Sequence, residues 1–286
     1  MSTPDSARAS VPAATSRHRS RFLVIVVYTL RSCFPRKRWA AILVPCAGAL
    51  LFGLLAHAVH ESAQGSFTTL TSKPFTIVRS HRFFNDPAQR AFASVAADGI
   101  FGLVVPIAAL VIGDSVLGAE VRAGTFHFTW LTPTPTWEIV LGRWAAGSIV
   151  ALVTIAPACA LAALVAGAPD SAIAAFVAAA VGSAAYVAVF VAIAVLTRRT
   201  AVWSLTFVFL VERLLGTALT GIAQLSPTWE SRAIFVGLLN DVPSRVVRTG
   251  IPQGGAAVVR LALVAIAFLL VAIWRMSHMR MAGAAD

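Results

Sequence analysis

Apolar residues in this chain do not alternate with polar ones around helices. They run in blocks, and six blocks are long: 39–59, 92–113, 144–167, 172–196, 201–224 and 255–274. A helix needs about 20 mostly apolar residues to cross the hydrocarbon core of a bilayer. The first, third and fourth blocks contain no Asp, Glu, Lys or Arg. The second carries Asp98 near one end and Pro106 inside, the fifth is interrupted by Glu212 and Arg213, and the sixth has Arg260 near its start. A long arginine can reach the interface from such a position. The pattern predicts an all-α, polytopic membrane protein with six transmembrane helices, occupying 39–275.

Composition points the same way. Hydrophobic residues make up 58% of the 286 and charged residues only 12%, against about 25% charged in soluble domains. A soluble globule, a disordered chain and a disulfide scaffold are excluded. Cys33, Cys46 and Cys159 are scattered and read as free thiols. The formal net charge of +11 would suggest nucleic acid in a soluble protein. Here the basic residues flank apolar spans, so they read as membrane orientation with no nucleic-acid partner.

With the N-terminus inside, 14 basic residues fall on the cytoplasmic side and 7 on the outer side. Arg36, Lys37 and Arg38 directly precede the first span. The expected topology is N-in/C-in in a bacterial plasma membrane. Ahead of the spans, 1–16 reads as a disordered cytoplasmic tail and 17–38 as a basic amphipathic helix lying in the interface, ended by Pro35. Its apolar run of nine residues, 22–30, is too short to span. Residues 276–286 form a second cytoplasmic tail, and 225–254 an outer segment of short surface helices or a re-entrant lid.

The segment 114–143 between the second and third spans reads as a structured cytoplasmic elbow. The second span runs on as a helix that Gly124 stops. Pro133 and Pro135 break the chain, Thr136 caps a new helix, and Glu138 sits in its first turn, favoured by the helix dipole. The run Gly118-Ala119-Glu120, then Gly124-Thr125, then Leu131-x-Pro133, then 139–143 ending in Gly142-Arg143 resembles the segment after the second span of ABC type-2 exporter permeases. Leu131-Thr132-Pro133 is shorter than that family's usual Leu-x-x-Pro spacing, and Pro135 offers an alternative. Glu212 followed by Leu225-Ser226 resembles a second feature of some subfamilies.

The resemblance implies a transport permease that is not itself an enzyme. It would partner a separate ABC ATPase subunit, a second permease copy or paralogue, and the lipid bilayer. It would bind no cofactor, because ATP and Mg would sit on the ATPase. The elbow residues Glu120, Arg122, Gly124, Thr125, Pro133, Glu138, Gly142 and Arg143 would meet the ATPase and couple it to the spans. The sequence agrees on one point: a P-loop needs Gly-Lys, and neither Lys37 nor Lys73 follows a glycine.

Glu212 and Arg213 lie within a span, where each charge costs about 2.5–3.5 kcal/mol on insertion scales. Adjacent helical residues point about 100° apart, so they are poor partners for each other. Either they line the translocation path or a dimer interface, or they form interhelical structural contacts. Two other functions remain open: a proton-coupled secondary transporter using Glu212, and a non-transport scaffold. His57-x-x-His60-Glu61 lacks the zinc-protease order, and no metal site is expected.

Overall fold

A computed structural model describes residues 15–33, 36–70, 87–124, 134–197, 199–239, 246 and 250–278. The two tails beyond these limits, Pro35, the 71–86 loop, Arg198 and the elbow tip 125–133, with Thr125 and Pro133, lie outside the described residues. All regular structure among the described residues is helical. The elements are α1 (Thr15–Cys33), α2 (Arg36–Leu70), α3 (Pro87–Ala123), α4 (Thr136–Val165), α5 (Ala172–Leu196), α6 (Thr200–Ala218), α7 (Pro227–Gly237) and α8 (Gly255–Ser277). Six of them, α2 to α6 and α8, contain stretches long and apolar enough to cross a membrane. The chain is an all-α, multi-pass membrane protein.

Helix α5 is the centre of the bundle and packs against α3, α4, α7 and α8. Its small residues Ala174, Ala178 and Gly182 are buried. A Cβ on Gly182 would collide with Ser231 of α7, so this stripe serves packing within the chain. Large apolar side chains point outward along the peripheral helices, among them Leu51, Val153, Leu210, Leu263 and Leu270. In a bilayer these meet lipid, where backbone groups must be satisfied inside the helices.

Several boundaries differ from the apolar blocks. Helix α3 spans 37 residues and α4 spans 30, where the blocks were 92–113 and 144–167. Both helices continue through charged residues that end the apolar pattern without ending the hydrogen bonding. Helix α6 stops at Ala218 rather than near 224. Leu219 is extended (φ −118°, ψ 114°) and only one further turn, Thr220–Ala223, follows. Thr136 is not a cap: Pro135, extended at ψ 142°, precedes it, and the Pro135 carbonyl accepts the Glu138 and Ile139 N–H groups. The outer segment contains α7, which is buried along nearly its whole length and folds back into the bundle.

Close approach between α2 and α4 rests on one glycine. A Cβ on Gly53 would lie 2.5 Å from the Ala162 carbonyl oxygen and 2.9 Å from its Cα. At Gly48, on the same helix, the nearest atom would be Val104 Cγ2 at an ordinary 3.7 Å. Gly53→Ala is expected to destabilise the bundle by about 1–3 kcal/mol. Gly48→Ala should change stability by less than about 1 kcal/mol, because alanine is the better helix former. Thermal unfolding of the two variants in the same detergent checks the contrast.

Candidate functional site

Two clusters of polar residues stand out from the apolar bundle. The first is at the elbow. Arg143, about two turns into α4 and 1% exposed, reaches across to the end of α3. Its Nη1 and Nη2 donate to Glu120 Oε1 and Oε2 at 2.8 and 2.7 Å, and Nη1 also donates to the Val116 carbonyl at 2.7 Å. This is the planar two-point geometry that arginine offers a carboxylate. The Tyr28 ring of α1 lies 5.7 Å from the guanidinium carbon. Gly142 lets α1 lie close, since a Cβ there would sit 2.8 Å from Ile25 Cγ2.

Arg122 forms its own two-point pair with Asp114, with Nη2 donating to Oδ2 at 2.7 Å. Gly124 ends α3 in the left-handed conformation (φ 70°) and donates its N–H to the last turn, as its position in the sequence suggested. Glu138 is buried in the first turn of α4. The structure thus joins Glu120 to Arg143 directly and sets Arg122 on a different partner. Trp137 remains 47% exposed on the same elbow.

The second cluster surrounds Glu212, which is 2% exposed. Ser226 Oγ donates to Oε1 at 2.7 Å, the Thr228 N–H to Oε1 at 3.3 Å and Thr228 Oγ1 to Oε2 at 3.1 Å. Tyr186 of α5 donates its hydroxyl to Oε2 as well. Ser226 and Thr228 begin α7, so the carboxylate caps that helix and meets its positive dipole end. Arg213 points elsewhere and donates Nη2 to the Asp98 carbonyl of α3 at 3.0 Å. Arg232 of α7 pairs with the Asp98 carboxylate at 3.0 Å and lies 4.6 Å from the Trp229 ring centre. Gly102 makes room: a Cβ there would meet both guanidiniums, at 2.5 and 2.7 Å.

Both clusters use the same local device. Asp98 and Val116 lie in π-helical stretches of α3, Ala96–Val104 and Asp114–Gly118, and each gives its carbonyl to an arginine from another helix. Glu212 and Arg213 sit in a third such stretch, Phe207–Leu215. A π-turn widens the helix and re-aims side chains, and such turns gather at functional sites.

Sequence reasoning missed Arg232, Asp98, Tyr186 and Glu230 as members of this region. Glu230, on α7, is fully enclosed, and neither carboxyl oxygen has a hydrogen-bond partner among the described residues. Burial pushes its pKa up to about 7, against a lowering pull from Arg260. Among the described residues no group of three or more His, Cys, Asp or Glu could hold a metal ion. His57 instead pairs with Glu61 one turn on, at 3.3 Å. No family model matches the chain, and no curated protein matches it.

The elbow pair is expected to behave as a half-buried ion pair. Arg143→Met alone should destabilise by about 3 kcal/mol, because Glu120 and the Val116 carbonyl lose their donor. Glu120→Leu combined with Arg143→Met should recover a large part of that loss. Denaturant or thermal unfolding of the single and double variants measures the coupling.

Proposed function

We propose that this chain is the membrane-spanning permease subunit of an ATP-driven ABC type-2 exporter, working with a separate ATPase. The observation that carries the reading is the Glu120–Arg143 clamp, which joins the end of α3 to the start of α4 as one rigid unit. At 37 and 30 residues, these helices run roughly 55 and 45 Å, well past a ~30 Å hydrocarbon core. The elbow end is therefore available to a partner outside the bilayer, with Trp137 exposed on it. Two helix ends tied together beyond the hydrocarbon core are what a mechanical coupling to an ATPase requires. The absence of a Gly-Lys pair from the sequence agrees with an engine on another chain.

In this reading both termini face the bacterial cytoplasm and the exporter contains two permease copies. The Asp98 side chain is 78% exposed about three turns into α3, with Arg213 partly exposed beside it. Charged groups at that depth favour a protein interface or a water-filled path over lipid. The α3–α6 face is thus the surface for the second copy or the cargo. Cargo would be amphipathic or hydrophobic, a class drawn from the family resemblance alone. Glu212, held by donors from two other elements, serves as a cap, which gives no support to a proton-carrying role for it.

Affinity purification of the tagged chain from native membranes tests this. A Walker-type ATPase is expected to co-purify with the wild type and to be reduced at least about tenfold with Trp137→Asp. Unchanged thermal stability of the variant must accompany the loss. Intact protein with no ATPase under mild detergent would contradict the reading.

A further inference from the structure

Two buried glutamates lie on neighbouring elements and are treated in opposite ways. Glu212 is met by Tyr186, Ser226 and Thr228. Glu230 is at least as enclosed, and both of its carboxyl oxygens are unpartnered among the described residues. An ionised carboxylate without water or donors is far less favourable than a neutral carboxyl in the same place.

The charges around α7 are accounted for. It packs against α5, α8 and the π-helical part of α3, and its first turn meets α6 through Glu212. Among the described residues, the titratable or charged groups facing it are Tyr186 on α5, Arg260 on α8, Asp98 on α3, and Glu212 and Arg213 on α6. Arg232 lies on α7 itself. Tyr186 is engaged with Glu212 and Thr228, Arg232 with Asp98, and Arg213 with the Asp98 carbonyl. Arg260 alone acts electrostatically on Glu230, and it makes no hydrogen bond to it. Glu230 and Arg232 are two residues apart and so face nearly opposite sides of the helix. Glu230 is thus turned away from the Asp98–Arg232 pair.

We propose that Glu230 is a proton-binding site, and that its bound proton keeps α7 docked in the bundle. The step is a simple protonation: a carboxylate oxygen takes a proton from water, and the neutral carboxyl stays buried. Release of the proton leaves a buried negative charge that, among the described residues, Arg260 and the α7 dipole offset without a hydrogen bond, and hydrating it requires α7 to shift. That shift disturbs the Glu212 cap and the Arg232–Asp98 pair together, because both depend on α7. Acid therefore holds the bundle in the form described here, and alkali loosens it. The inference goes beyond the permease reading and stands whether or not an ATPase binds.

The sign follows from the two carboxyl values. The docked group titrates near 7, and an undocked, solvated one near the ordinary glutamate value of about 4.3. Docking is then unaffected by pH below the lower value. It weakens by up to about tenfold per pH unit between the two and levels off above the higher one.

Hydrogen exchange of the full chain in lipid nanodiscs, from about pH 5 to 8.5, reads this directly once corrected for intrinsic exchange. Wild-type α7 amides are expected to lose protection at least about tenfold up to near pH 7 and then level off. In Glu230→Gln, which mimics the neutral carboxyl, the profile should be flat. A flat wild-type profile overturns the proposal even where the variant does not fold. An equal loss of protection in wild type and variant overturns it too, since another group would then carry the titration.

Discussion

The Glu212 carboxyl group holds the α7 end of the bundle in its observed form. A carboxyl group inside an apolar bundle needs hydrogen-bond partners, and Glu212 finds them on α5 and at the start of α7. Accepting the Thr228 N–H fixes where α7 begins and which way its dipole points. That placement aims Arg232 at Asp98 and seats Ser231 against Gly182. Arg213 ties the same helix back to α3 through the Asp98 carbonyl. Two adjacent residues of α6 thus organise three other elements, because neighbouring helical positions diverge by about 100°.

Helix α3 connects this region to the elbow. Its two π-helical stretches lie roughly three turns apart, and each presents a carbonyl to an arginine: Asp98 to Arg213 and Val116 to Arg143. A displacement at the Glu120–Arg143 clamp would therefore be carried along one helix to the Asp98 cluster and α7. In the proposed permease, that continuity would carry coupling between a partner at the elbow and the Asp98 cluster.

Much of this architecture was legible in the sequence because a bilayer demands long apolar runs. The six spans follow from that demand, and the Gly124 stop follows from the freedom of glycine to adopt positive φ. At the elbow the run-on of α3 to Gly124 and the helix through Glu138 were legible despite their charged residues. Less legible were the early start of α3 at Pro87 and the early end of α6 at Ala218. The divergent roles of Glu212 and Arg213 were foreseeable from helical geometry, but their partners were not. Helix α7 was hidden for a different reason: Thr228, Glu230, Ser231 and Arg232 look like a solvated surface until folding buries them. Nothing in the sequence distinguishes a satisfied glutamate such as Glu212 from an isolated one such as Glu230. That difference lies in contacts made across long sequence separations.

The central claim is that the elbow faces a separate ATPase. A photo-crosslinking amino acid placed at Trp137, the exposed aromatic of the elbow, tests it most directly in native membranes. The account requires a covalent adduct to a Walker-type ATPase, with the crosslinked peptide on that protein's surface. Adducts confined to lipid or to the chain itself, from correctly inserted protein, would contradict it.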